Sequence, residues 1–311
     1  MDPDLLLQPR PPSPLQELRD ERFERRGVRL LLKRDDLIHT TLPWDAAVRG
    51  PVELYPSGNK WRKLVPNLRA AAEAGQRTLL TFGGAYSNHL RATAAAGRLL
   101  GLATIGVVRG AELADRPLNP SLAQAAAHGM RLHFVERAAY RRRAEEAYAG
   151  ELRERFGDFA LIPEGGSNAA AVRGCVALGR ELAGGTDRAD LAAVACGTGG
   201  TLAGLAAGLG PGQRALGVPV LRGGFLTAET ERLQQAAFGE RRGDWQLEER
   251  FHCGGYARST PELADFAADF ERRHALALER TYVAKLLLGL TVLAEEGAFA
   301  PGTSVAAVVT G

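Results

Sequence analysis

From residue 78 onward, short apolar segments alternate with helical stretches, and three of those segments meet glycine within two residues. Thr78–Phe82 leads through Gly83-Gly84 to a helix from about Asn88 to Leu100. Thr104–Val108 precedes a helix near Ser121–His128, and Arg131–Val135 precedes a charged helix over Ala138–Arg155. Phe159–Pro163 ends in Gly165-Gly166 before a helix over Asn168–Leu182. Leu191–Cys196 ends in a glycine-rich turn with a helix to about Leu209, and Ala215–Leu221 is a further strand. This alternation predicts an α/β fold of mostly parallel sheets flanked by helices on both faces. Ligands of open α/β sheets bind at the carboxyl ends of the strands, so the turns at 83–84, 165–166 and 197–200 can serve one site. Upstream, residues 1–14 read as an extended arm, Leu15–Arg26 as a short charged helix and Val28–Lys33 as a strand. Residues 40–56 carry three prolines and read as an irregular loop. A helix is expected from about Asn59, broken or kinked at Pro66.

Composition excludes several classes. At 311 residues the chain can bury a large core and divide into two domains. Its hydrophobic content of 45% and charged content of 24% are those of a soluble globular protein. The net charge of +3 is spread along the chain, and the arginine clusters at 19–26 and 141–143 are relieved by Glu and Asp. That pattern describes solvated helix faces and argues against nucleic-acid binding. No apolar stretch approaches membrane-spanning length, and the acidic, proline-rich Met1–Pro14 is no signal peptide. Cys175, Cys196 and Cys253 are widely spaced, without pair or metal spacing, and read as buried thiols of a cytoplasmic protein. No metal is expected.

Two segments carry chemistry together. Ser57 to Leu64 reads Ser-Gly-Asn-Lys-Trp-Arg-Lys-Leu, which sets Lys60 and Lys63 three apart at a helix start. Gly197-Thr198-Gly199-Gly200-Thr201 lies between a strand and a helix, where backbone N–H groups and the helix dipole can cup a phosphate. An isolated lysine is usually a solvated charge, and a lone glycine turn is usually a packing device. The turn also fails the dinucleotide pattern, and no Gly-Lys-Ser/Thr follows as a P-loop requires. A lysine able to form an imine and a phosphate cup in one α/β chain are what a pyridoxal phosphate enzyme needs. Ser87 or Asn88 would cap the helix that begins there whatever its role, and the same helix start can hold a substrate carboxylate. His89, Tyr256 and Tyr282, taken singly, read as a second-layer or surface histidine and two core aromatics.

Taken in order, Lys33–Asp36, Ser57–Leu64, Gly83–Arg91, Pro163–Asn168, Cys196–Leu205, Gly254–Tyr256 and Tyr282–Lys285 resemble the 1-aminocyclopropane-1-carboxylate (ACC) deaminase / D-cysteine desulfhydrase family. That family belongs to the fold type II, tryptophan-synthase-β-like pyridoxal phosphate enzymes. The resemblance implies a large cofactor-binding domain from residues 1–66 and 161–311, a small domain at 67–160, and a homodimer. It makes Lys60 the Schiff-base lysine and Lys63 a neighbouring positive group. It puts Asn88 on the cofactor's 3-oxygen, Ser87, Asn88 and His89 around the substrate carboxylate, and Gly197, Thr198, Gly199, Gly200 and Thr201 on the phosphate. Ser87, Tyr256 and Tyr282 join Lys60 as catalytic candidates.

Four departures bear on the reaction. Residues 40–56 look inserted before the lysine motif, and the chain stops at Gly311 where the family continues with more glycine. Tyr86 stands where many members have glutamine. Val283 stands where the deaminases carry a glutamate that pairs with the pyridine nitrogen, and Thr310 matches the threonine that the desulfhydrases use instead. A carboxylate keeps the pyridinium protonated and the ring a strong electron sink; a hydroxyl cannot enforce that charge. Opening a cyclopropane without a Cα hydrogen needs the strong sink, whereas thiolate is a good leaving group. The sequence therefore ranks β-elimination from a small amino acid, D-cysteine first, above ACC deamination. A protein that only binds cofactor or a nucleotide is the third reading.

Overall fold

The computed structural model describes residues 12–38, 58–184 and 188–310. The expected loop at 40–56, Ser57, Gly311 and most of the expected arm at 1–14 lie outside the described residues. The described chain forms two compact units, one of residues 58–167 and one of residues 12–38 with 168–310. Lys60 and Lys63 therefore belong to the first unit, whereas the sequence groups residues 1–66 with 161–311.

The chain enters through strand β1 (Leu15–Leu18), a four-residue helix α1 (Glu21–Glu24) and strand β2 (Arg29–Arg34). A helix was expected across Leu15–Arg26. Instead Leu15–Leu18 pairs antiparallel with β2, Leu15 opposite Lys33 and Leu18 opposite Leu30. An edge strand keeps one side wet, which allows Gln16 and Glu17 to mimic a polar helix face. Asp20 then starts α1, its carboxylate accepting from the Arg22 N–H at 2.9 Å.

The first unit follows with α2 (Lys60–Glu73), β3 (Thr78–Gly83), α3 (Asn88–Leu100), β4 (Ala103–Arg109), α4 (Pro120–Ala127), β5 (Met130–Val135), α5 (Arg137–Arg141), α6 (Glu146–Phe156) and β6 (Ala160–Ile162). Its four strands are parallel in the order β5-β4-β3-β6. Leu80, Phe82, Ile105 and Val107 pack with Tyr140, Tyr148 and Leu152 of α5 and α6. Val108 and Met130 pack with Leu90, Ala94 and Leu122 of α3 and α4. Helix α2 runs through Pro66 without ending there. The single charged helix expected at 138–155 is two helices, and the break has a packing reason. Tyr140 and Tyr148 both reach Phe82, with ring centroids at 6.0 and 6.3 Å, whereas eight residues of one helix would turn them about 80° apart.

The second unit resumes with α7 (Ala169–Ala183), β7 (Leu191–Cys196), α8 (Gly200–Gly208), β8 (Arg214–Pro219), α9 (Leu226–Phe238), β9 (Asp244–Leu247), α10 (Pro261–His274), α11 (Val283–Glu295) and β10 (Ser304–Val309). The sheet order is β1-β2-β10-β7-β8-β9, parallel except for β1. All six residues of β7 and of β10 are buried, as central parallel strands require. Alternate side chains serve opposite faces. Leu30, Leu32, Ala193 and Val305 meet α10 and α11, while Leu31, Val194, Ala306 and Val308 meet α7 and α8. Helices α7 and α8 touch backbone to backbone. A β-carbon built on Gly204 would lie 2.3 Å from the Val172 carbonyl oxygen, so only glycine admits this approach.

Candidate functional site

In the first unit the lysine pair begins α2. Gly58 takes φ of +84° just before it, and its carbonyl accepts from the Trp61 N–H at 3.1 Å. Lys60 is partly exposed. Lys63 is buried, and its Nζ donates to Ser167 Oγ at 3.0 Å and reaches the Gly165 carbonyl at 3.4 Å. The expected glycine turn at 165–166 is thus what Lys63 grips.

Ser87 ends the loop that leaves β3. Its Oγ accepts from the Leu90 N–H at 3.3 Å and caps α3, as the residue type predicts. Asn88 opens that helix, and its amide oxygen takes a hydrogen bond from Arg91, whose guanidinium also donates to Gln124 at 3.1 Å. This contact orients the Asn88 amide with its NH₂ group turned away from Arg91. His89 is 2% exposed. Thr81 donates its hydroxyl hydrogen to the Ile162 carbonyl at 2.8 Å, so at its 2.8 Å contact with His89 Nε2 it accepts. That assigns the proton of a neutral ring to Nε2. Burial, then the charges of Lys60 and Lys63, push the His89 pKa well down. His89 is therefore an inner-layer residue beneath the lysines. Tyr86, by contrast, is 60% exposed.

In the second unit β7 delivers Gly197 to Thr201. Gly199 takes φ of +74° at the start of α8 and supplies no side-chain cap. Ser87, Asn119 and Asn168 cap α3, α4 and α7 with their side chains, whereas Gly199 brings none to the start of α8, where backbone N–H groups and the helix dipole suit an anion. A β-carbon on Gly199 would lie 2.5 Å from Thr230 Oγ1, and one on Gly197 would lie 3.3 Å from the Tyr282 hydroxyl. Tyr282 therefore stands against the glycine turn. Tyr256 meets Tyr282 edge-on, with ring centroids 6.1 Å apart at 72°. Thr310 follows β10, which is parallel to β7, so Thr310 and Cys196 close neighbouring strands at the same sheet edge. Val283 is 1% exposed within the aliphatic cluster beneath α11.

The sequence reading assigned no role to Ser167, Arg91 or Glu279. Glu279 accepts from the N–H groups of Thr281 at 2.7 Å, Tyr282 at 2.6 Å and Val283 at 3.4 Å, and so holds the start of α11. An acidic residue just before an apolar helix is a readable capping signal. The pairing of Lys63 with Ser167 spans 104 residues and leaves no local trace.

Each unit carries a group that pyridoxal phosphate requires. An uncapped helix start in a glycine turn suits its phosphate, and a partly exposed lysine suits its aldehyde. Among the described residues no group of three or more His, Cys, Asp or Glu side chains could hold a metal ion. Residues 56–311 match the pyridoxal-phosphate dependent enzyme family. A Thermotoga maritima protein, provisionally named 1-aminocyclopropane-1-carboxylate deaminase, is 35% identical over 66% of this chain and 61% of its own length. A Klebsiella pneumoniae protein named D-cysteine desulfhydrase is 29% identical over 90% of this chain and 85% of its own. The crystal structure of an ACC deaminase homologue superimposes with a TM-score of 0.80 at 28% identity, covering 99% of this chain and 93% of that one. The chain belongs to the pyridoxal-phosphate dependent enzymes, has their fold type II architecture, and takes pyridoxal phosphate as its cofactor.

Proposed function

We propose that the protein is a D-cysteine desulfhydrase-like lyase, which converts D-cysteine and water to pyruvate, hydrogen sulfide and ammonia. Bound in this chain, pyridoxal phosphate supplies the electron sink that makes the α-carbon proton of an amino acid labile. The residues do the rest. The turn from Gly197 to Thr201 binds the phosphate through backbone N–H groups. Lys60 would hold the cofactor at its aldehyde carbon and, as a free amine once the substrate's amine has displaced it, would move the proton at Cα. Lys63, committed to Ser167, contributes positive potential. Ser87 and Asn88 bind the substrate carboxylate at the start of α3, with His89 beneath them. Asn88 also offers its amide to the cofactor's 3-oxygen. Tyr256 and Tyr282 border the substrate, and Thr310 offers its hydroxyl to the pyridine nitrogen.

One observation carries the choice of reaction. Val283 is buried among aliphatic side chains directly after Tyr282, so the residue at that position brings no carboxylate. This favours elimination of a good leaving group over cyclopropane opening. Three free thiols, two of them buried, support a cytoplasmic site of action, and no described helix is long and apolar enough to cross a membrane. A homodimer is the family's implication. The test is a parallel assay of the purified, cofactor-loaded protein. Pyruvate and sulfide should appear from D-cysteine, and more slowly or not at all from L-cysteine. Faster release of 2-oxobutyrate from ACC would replace this reading with the deaminase one.

A further inference from the structure

Lys285 is fully buried on α11, one turn after Tyr282. Its Nζ donates to the carbonyls of Gly255 at 2.7 Å and His252 at 2.9 Å. Among the described residues no carboxylate forms an ion pair with it. A buried ammonium held by carbonyls alone is a costly device unless those carbonyls need holding. The loop between them is strained. Cys253 takes φ of +50°, Gly254 +86°, Gly255 +117° and Ala257 +53°. Positive φ is disfavoured at Cys253 and Ala257, and such conformations persist only when their surroundings enforce them. Tyr256 lies in the middle of this loop and meets Tyr282 edge-on, and Tyr282 stands against Gly197 of the phosphate turn. The grip is doubled from the same helix, because a β-carbon on Gly289 would lie 2.8 Å from the Phe251 ring, at the loop's entrance.

We propose that Lys285 is a positioning residue, whose ammonium locks the His252–Ala257 loop in its strained form and so holds Tyr256 edge-on to Tyr282 beside the phosphate turn. This rests on the proposed role of Tyr256 at the substrate. Burial lowers the Lys285 pKa, and the neighbouring Cys253 and Glu279 oppose that shift. Methionine comes within one atom of the length of the side chain but donates nothing, so it leaves two buried carbonyls without their partner.

The test uses holoenzyme with D-cysteine and reads amide exchange beside kinetics. Lys285→Met should keep its cofactor, exchange the amides of residues 252–258 faster with β10 unchanged, and lose about tenfold in kcat. Tyr256→Phe should lower kcat by itself, and Lys285→Met/Tyr256→Phe should be no slower than the slower single variant, because both act through one ring. Multiplying losses would overturn the proposal, as would unchanged exchange in the loop. Gly254→Ala strains the same loop without touching Lys285, since its β-carbon would meet only Arg258, at 3.6 Å, and φ of +86° disfavours alanine. It should reproduce the loss of kcat with cofactor retained, even if Lys285→Met does not fold. Wild-type kinetics in Gly254→Ala would overturn the proposal. If the parent protein does not turn over D-cysteine, the functional reading fails, while loop exchange still decides the role of Lys285.

Discussion

Lys63 donates to the hydroxyl of Ser167 at 3.0 Å, and this contact separates two lysines that the sequence presents as near equals. Lys63 is 2% exposed and held by Ser167 and the Gly165 turn; Lys60, one turn earlier, is partly exposed. Covalent chemistry needs a nucleophile that a ligand can reach, so the geometry favours Lys60.

Lys60→Ala should therefore abolish both the visible absorbance of covalently held cofactor and turnover. Lys63→Ala should keep the covalent link with reduced turnover. Borohydride reduction followed by peptide mapping checks the assignment: the pyridoxyl label belongs on Lys60, and finding it on Lys63 or Lys285 refutes this account.

Ser87→Ala removes a helix cap and, on the proposed function, a hydrogen bond to the substrate carboxylate. The cap is worth about 1 kcal/mol of stability. Losing a bond to a charged group costs roughly 1.5–3 kcal/mol, or about 10- to 100-fold in kcat/KM. Thermal melts and kinetics should show both losses with cofactor retained. Release of cofactor would instead make Ser87 part of its binding site.

Gly199→Ala places a methyl group against Thr230 Oγ1 at a φ of +74°. Alanine resists that backbone, and the turn must shift to relieve the clash. A displaced N–H cup should weaken cofactor binding by about tenfold or more, for a cost above roughly 1.4 kcal/mol. Adding Thr230→Ala removes the obstructing hydroxyl and should restore part of the affinity. Equilibrium dialysis of the two variants checks this, and unchanged affinity in Gly199→Ala would remove the turn from the phosphate site.

Asp20 predicts how stability follows pH. Burial alone would raise its pKa, but hydrogen bonds from the Arg22 side chain and backbone and from His274 outweigh it and hold the carboxyl well below its usual range. A depressed folded-state pKa stabilises above the unfolded value and is lost as pH falls toward the folded one. Asp20→Asn should cost about 1–3 kcal/mol at neutral pH. The gap to the parent protein should close progressively below about pH 4, the ordinary carboxylate value. Urea melts across that range test it, and a gap independent of pH would mean that the charge contributes nothing.

The parts of this molecule that were legible in sequence are those with local causes. Strand β7 and helix α3 lie where the pattern put them, because Leu191–Cys196 is continuously apolar and Ser87 is a good cap. Leu15–Leu18 reads as helix in sequence and pairs as a strand, because an edge strand of mixed polarity and a short helix look alike. The break between α5 and α6 was hidden because its cause, Phe82, lies more than fifty residues upstream. The candidate site divides the same way. Gly199 and Ser87 are readable from what their own backbone needs. The burial of His89 on Thr81, the grip of Lys63 on Ser167 and that of Lys285 on the Gly255 carbonyl depend on chain returning from elsewhere.

Thr310 and Val283 carry the last prediction. Thr310 closes β10 at the edge where β7 releases its glycine turn, and Val283 is buried in aliphatic surroundings at the start of α11. On the proposed function the pyridine nitrogen meets a hydroxyl and should be largely unprotonated in the resting enzyme. Thr310→Val keeps the shape and removes the hydroxyl, so it should weaken cofactor binding without changing that protonation. Val283→Glu should act in the opposite way. A carboxylate there sits in apolar surroundings and close to Glu279, which already holds the Val283 N–H. Without a cationic partner its burial costs several kcal/mol, on the order of 2–5. A protonated pyridinium would supply that partner, so cofactor should raise the melting temperature of Val283→Glu more than that of the parent protein. Equal shifts would mean that position 283 does not face the nitrogen. Nitrogen NMR on labelled cofactor reads the protonation directly, and a pyridinium in the unmodified protein would reverse the ranking of elimination over cyclopropane opening.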